Sequence, residues 1–353
     1  MSLADDQREF LDSLLETPSP SGYESRGQRV WLDYVAQFAD AVETDAYGNA
    51  VATYRGDSGP ELLFGGHGDE IGFIVTDVDD DGFVTVSPIG GSDKTVMAGQ
   101  HVTVHAADGP VHGVVGQTAI HLRSDNEVQD ITDRHIDLGV EDGEEAEALV
   151  EVGDPVTFST TTRELQGTRL AARGMDNRVG TWAAAEALRR AADAGVEATV
   201  HAVSTVQEEV GRNGAEMVAF DIDPDAAVAV DVSHAVDDPG SPGGGQADIE
   251  LGGGPVVGRG NANHPQVVSA VRAAAADADV DVQLDAHGSD TGTDANAFYT
   301  QRGGIPSLNV GVPNRYMHTP VEVIDTDDLD DVADLLAAFA EHAGDTDSFA
   351  VDV

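Results

Sequence analysis

Residues 203–211 read VSTVQEEVG, an alternating apolar run that stops at two adjacent carboxylates, Glu208 and Glu209. Paired acids at the end of a buried strand can divide labour. One can bind a cation while its neighbour moves a proton. Other strand or helix ends carry side chains of the same kind. ELLFGG runs into His67, with Asp69 two residues on. RGMDNRVG puts Asp176 at the start of an alanine-rich segment. AAVAV runs into Asp231, and IPSLNVGV leads through PNRYM to His318. Each alone has an ordinary role: a loop histidine, a helix cap at Asp176, a turn, a surface acid. Glu144 and Glu145 show that paired acids occur elsewhere in the chain. The joint pattern is harder to dismiss, because so much charge at one sheet edge is costly unless a cation is bound there. Two imidazoles and several carboxylates suit zinc, cobalt or manganese.

An α/β layer must position these residues, since functional groups gather at the carboxyl ends of strands in open α/β sheets. The spacing of apolar residues predicts helices over 5–16 and 24–39, then strands at NAVATYRG and ELLFGGH. From about Ile71 to Phe158 the pattern becomes short strands with turns at Asp81–Gly82 and Asp108–Gly109, plus one helix in EDGEEAEALV. After Gly167, strand and helix alternate again, with TDANAFYTQRG read as helical and SPGGGQADIELGGGP as a loop. The expected fold is α/β. A mixed sheet layered by helices is formed by residues 1–70 and 164–353. A small β-rich domain, 71–163, is inserted into it.

The chain has 353 residues, with 65 Asp plus Glu against 18 Lys plus Arg, and a formal charge of −47. Lys94 is its single lysine. The acid is spread among apolar segments, so it is not a disordered tail. Such a surface repels itself and is best tolerated where salt shortens the Debye length to ~3 Å, at about 1 M. The expectation is a halophile's cytoplasmic protein, with neither nucleic acid nor membrane as partner. There is no cysteine, hence no disulfide or thiolate site. MSLADDQREF lacks the basic and apolar regions of a signal peptide, and no apolar run approaches the ~20 residues of a membrane helix.

HGDEIGFIV, RGMDNRVG, QEEVGRNGA, AVDVSH, GTDANAF and RYMHTPVEVI resemble, in order, the motif series of the tetrahedral (TET) aminopeptidases. That family of dinuclear metallopeptidases contains glutamyl and deblocking aminopeptidases and proteins formerly described as endoglucanases. The resemblance spans nearly the whole chain and includes the inserted GQHVTVHAADGPVHGVVG and HIDLGVEDGEEAEALVEVGDPVTF. It implies two divalent metal ions per subunit, zinc first, with cobalt or manganese as alternatives. His67 would bind one ion, Asp176 would bridge both, Glu209 and Asp231 would bind one each, and His318 would complete the set. Asp69 would orient His67. Glu208 would be the general base, taking a proton from water and passing it to the departing amine. The resemblance also implies short peptide substrates and a homo-oligomer, a tetrahedral dodecamer of dimers joined through the insertion. Gly68 departs from the bulkier residue expected there, and Gly65 and Gly66 loosen the preceding strand.

Other readings stay open at this stage. A related amidohydrolase, an N-acyl amino acid deacylase or carboxypeptidase, could use much the same metals. A glycosidase would need two carboxyls and no metal. A non-catalytic assembly protein would retain a dead site. Arg259 and the Gly-rich loop before it are candidates for shaping the specificity pocket.

Overall fold

The computed structural model describes residues 3–241, 248–344, 346, 348–351 and 353. Residues 242–247, the centre of the expected Gly-rich loop, lie outside the described residues. Strand-forming residues rich in Val, Ala and Leu build an eight-stranded mixed sheet. Its spatial order is Ala41–Thr44, Ala50–Tyr54, Thr199–Thr205, Glu61–His67, Ala226–His234, Ser307–Asn314, Val256–Arg259 and Gln283–Ala286. The four middle strands, from Thr199–Thr205 to Ser307–Asn314, run parallel. Their carboxyl ends therefore finish together, with His67 level with Thr205 and Asp231 level with Gly311.

Alternation along a strand sends neighbours to opposite faces. Leu62 and Phe64 join one core with the helices Asp5–Glu16, Ser25–Val35, Met175–Ala194, Pro265–Asp277 and Thr326–Ala343. Leu63 joins a second core, on the other face, with Asn213–Ile222 and Ala295–Phe298. The sheet is thus layered by helices on both sides, the expected fold class. None of the described helices is long and apolar enough to cross a membrane.

The chain leaves this layer just after His67 and builds a closed antiparallel barrel. Around it run Gly72–Val78, Phe83–Ile89, His135–Asp137, Gly109–Val115, His101–Ala106 and Pro155–Phe158. Phe73, Val84, Val102, Ile136 and Val156 fill its separate core. Arg163–Glu164 already belongs to a small sheet with Arg169–Ala172 and Glu322–Asp325.

Two expected helices are shorter than their periodicity. The second ends at Val35, because the chain must turn to start the edge strand at Ala41. TDANAFYTQRG holds only Ala295–Phe298 and a single tight turn at Gln301–Gly303. Arg302 sits at φ 51°, and Gly303 and Gly304 also have positive φ, which no helix continues through.

Candidate metal centre

The glycines around His67 have a reason in packing. A Cβ on Gly66 would lie 2.5 Å from the Gly180 carbonyl carbon, and one on Gly180 would lie 2.3 Å from the Val230 oxygen. Bare backbone at both positions lets the Met175–Ala194 helix settle onto the sheet. That contact carries its first turn to the strand ends. Asp176 is not a cap. Gly174, at φ 63°, starts the helix, and Asp176 itself is non-helical at ψ 102°. Its carboxylate is free to face the histidines.

Asp176 lies between two imidazoles. His67 Nε2 is 3.1 Å from its Oδ1, and His318 Nε2 is 3.3 Å from its Oδ2. Each imidazole has a further carboxylate at hand. Asp231 Oδ1 lies 3.8 Å from His67 Nε2, and Glu209 Oε1 lies 3.6 Å from His318 Nε2. Glu208 Oε2 is 3.9 Å from His67 Nε2. Ligand atoms of His67, Asp176 and Glu209 all fall within 4.8 Å of one another. His67, Asp176, Glu208, Glu209, Asp231 and His318 therefore converge.

Asp69 contacts more than His67. His67 Nδ1 lies 3.2 Å from the Asp69 carbonyl and 3.4 Å from its carboxylate. The same carboxylate accepts from the backbone N–H groups of Glu208 (3.0 Å) and Glu209 (3.2 Å) and from Ser21 Oγ (2.6 Å). One buried acid thus sets the turn that carries both glutamates. A matching group on the other side was not singled out in the sequence. Buried Glu322 accepts from the backbone N–H of Asp176 (2.9 Å) and of His318 (3.1 Å). It stands in RYMHTPVEVI, four residues after His318, and that spacing was its only signal.

The electrostatics show what the donor set lacks. Burial, with neighbouring carboxylates added, pushes Glu208 up to about 10 and Glu209 to about 8. Burial and Asp176 push Asp231 up to about 8, against the pull of His67. Burial opposes ionisation of Asp176 too, but hydrogen bonds from His318 and His67 hold it well below the ordinary carboxyl range. Its bond to Asp176 raises His318 to about 9. Burial disfavours a charged His67, yet Asp176 and Asp69 raise its pKa well above the usual value. Burial thus disfavours the charged forms of three carboxyls that lack positive charge beside them. Glu209 Oε1 is buried with no hydrogen-bond partner among the described residues. An orphaned oxygen among imidazoles and carboxylates fits a divalent cation.

A cavity of about 290 Å³ opens onto these residues, walled beyond them by Asp285, His287, Thr291, Asn309 and Met317. Arg259 is not in that wall; its neighbouring strand supplies Asp285, and His287 follows. A larger cavity, about 870 Å³, adjoins Asp225, Ile305 and Phe349. Among its described lining residues are one carboxylate, Asp225, and one imidazole, His264, too few to hold a cation.

The sequence matches the family described as M42 glutamyl aminopeptidase over residues 48–335. A lysyl aminopeptidase of Pyrococcus furiosus is 33% identical over 339 residues, which cover 94% of this chain and 96% of that protein. The structure of a TET aminopeptidase from a marine-sediment Thaumarchaeota archaeon superposes with a TM-score of 0.90 at 32% identity, covering 96% of this chain and 97% of that one. The TET1 peptidase of Pyrococcus horikoshii, described as able to assemble into a tetrahedron or a large octahedral shell, gives 0.84 at 32% identity, covering 95% and 99%. With its strand-end histidines and carboxylates and a family match over most of its length, this chain belongs to the M42 glutamyl aminopeptidase family of peptide hydrolases.

Proposed function

We propose that this chain is a dinuclear metallo-aminopeptidase that removes N-terminal residues from short peptides. The observation that carries the reading is Asp176 held between two imidazoles, each with its own second carboxylate. One cation position would use His67, Asp176 and Asp231; the other would use His318, Asp176 and Glu209. Zinc is the expected ion, and cobalt or manganese suit the same donors. Two divalent cations bound there would supply Lewis acidity to a peptide carbonyl and to water.

The chain's own residues do the rest. Asp69 fixes the backbone of both glutamates, so Glu208 Oε2 keeps its place beside His67. That oxygen takes a proton from the attacking water and delivers it to the departing amine. The cavity of about 290 Å³ takes the N-terminal residue, and its acidic wall favours a free amine over a carboxylate.

Residues 71–163 act as the dimerisation domain of a larger assembly, and 1–70 with 164–353 as the catalytic domain. A dodecameric shell would admit short peptides while excluding folded proteins. The charge of −47 fits a salt-rich cytoplasm and repels nucleic acid and anionic membranes. The test is hydrolysis of leucyl-anilide against N-acetyl-leucine, with defined metal and after chelation. Anilide cleavage lost on chelation and restored by zinc is expected. Cleavage of the acetylated compound alone, or indifference to chelator, overturns the reading. Assembly should also fail as salt drops well below molar. A particle of unchanged mass at ~0.1 M, where screening reaches ~10 Å, contradicts the halophilic part.

A further inference from the structure

The barrel reaches the metal centre through one turn. After the strand Phe83–Ile89 the chain passes through Gly90 and Gly91. The carbonyl oxygen of Gly91 lies 3.0 Å from His318 Nδ1. A carbonyl can only accept, so Nδ1 carries a proton, and Nε2, on the side of Asp176 and Glu209, is the nitrogen that would bind a cation. We propose that the Gly91 backbone is the positioning group for His318, so that the inserted barrel completes one of the two cation positions. The inference rests on the two-cation reading above.

His318 needs such a group more than His67 does. His67 ends a central strand and is 2% exposed; His318 is 33% exposed and stands on an irregular segment after the last parallel strand. Its own φ is 63° and that of Tyr316 is 62°, so the segment is held in a sparsely populated conformation by its contacts. Glu322 fixes the backbone of His318. The hydrogen bond at Nδ1 then sets the ring's rotation.

The glycine is there for room. Gly91 lies outside the left-handed region, so an alanine could adopt its backbone. A Cβ there would meet only His318, 2.8 Å from both Cε1 and Nδ1, with nothing else within 4 Å. Beside it, a Cβ on Gly90 would lie 3.1 Å from Glu209 Oε2. The turn thus abuts Glu209 and His318, the two ligands that, with shared Asp176, form the same position. Ser92 Oγ, donating to the Gly72 carbonyl at 3.0 Å, ties the turn to the barrel.

Gly91→Ala is therefore a narrow probe. It adds one carbon, costs no backbone strain, and must rotate the imidazole off its acceptor. Metal-free full-length protein in molar salt would be titrated with cobalt(II) and followed by visible absorption. Wild type should take up two equivalents. Gly91→Ala should bind one with unchanged affinity and the other ~10–100-fold more weakly, the usual effect of losing a ligand's outer partner. Gly99→Ala is the control. It strains a barrel turn at φ 77° with nothing near its Cβ, so it should lower the melting temperature and leave both cobalt affinities alone. If Gly91→Ala fails to assemble, Ser92→Ala must show the same one-sided loss to a smaller degree. Two equivalents of undiminished affinity in Gly91→Ala, or equal weakening of both, overturn the role of Gly91 alone. A single equivalent in wild type overturns the two-cation reading and this inference with it.

Discussion

Glu144–Glu145 and Glu208–Glu209 are one dipeptide in two settings. The first lies in the short helix Gly143–Glu147 of the barrel, with both side chains exposed. The second follows a central parallel strand and is 10% and 6% exposed. On the barrel, Glu145 accepts from the Glu141 N–H four residues away, a local turn contact. At the sheet, the Glu208 and Glu209 backbones are gripped by Asp69, distant in sequence, and among the described residues the carboxyl groups have no cationic partner but histidine. Burial turns an acid from a solvated charge into a demand for positive charge. Glu70 shows that demand met inside the chain: it is buried against Arg173 and, at 2.8 Å, Arg178. At Glu208, Glu209 and Asp231 no arginine among the described residues answers it, and a divalent cation would.

The strongest way to sharpen this contrast is Glu208→Gln. It keeps shape but cannot take a proton. Turnover should fall by ~10²–10⁴-fold while bound metal and peptide affinity stay near wild type. Glu209→Gln should act differently, weakening one cation by more than the ~10–100-fold typical of an outer partner. Its activity should return as metal is raised. Metal analysis beside kinetics separates the two. If Glu208→Gln strips metal and Glu209→Gln does not, the roles are exchanged.

A smaller effect belongs to Glu70. Burial alone would raise its pKa, but Arg173 and Arg178 pull it from 4.5 down to about 2. A carboxyl lowered on folding adds stability above its unfolded pKa and loses it as pH falls. The loss should therefore run from about pH 4.5 to about pH 2 and amount to roughly 3 kcal/mol. In metal-free protein, Glu70→Gln should flatten that acid limb in denaturant titrations. An unchanged limb would mean that the arginine pair does not set it.

Much of this was legible in the sequence, for a reason that also marks its limit. Candidate ligands at strand ends can be read because a strand is short, apolar and followed at once by its polar residue. His67, Asp231 and the glutamates after Thr205 have that form. Parallel strands then bring them together without further information. Groups that act through backbone contacts leave no such trace. The Gly91 carbonyl has no side chain to signal it. Glu322 looked like one acid among 65. The role of Gly66 was missed because its reason, the close approach of the Gly180 backbone, lies more than a hundred residues away. Asp69 was read for its neighbour His67, whereas its grip on Glu208 and Glu209 depends on the turn after a strand distant in sequence.

The smallest expected effect is the other half of the opening contrast. Glu144→Gln and Glu145→Gln remove charge from exposed positions, and such substitutions usually change stability by no more than about 0.5 kcal/mol. Glutamine at 145 keeps an oxygen for the Glu141 N–H, and the helix cap is made by Asp142 accepting from the backbone of Glu145, which the substitution leaves in place. What changes is one unit of a charge of −47. In dilute buffer each variant should therefore melt slightly above wild type, because self-repulsion is reduced. At about 1 M salt the Debye length is only ~3 Å, so the difference should vanish. Melting curves at the two salt concentrations, with peptidase rates alongside, check both statements. A tenfold loss of activity in either variant would mean that the barrel's acid pair takes part in the site, and that burial is not what separates the two dipeptides.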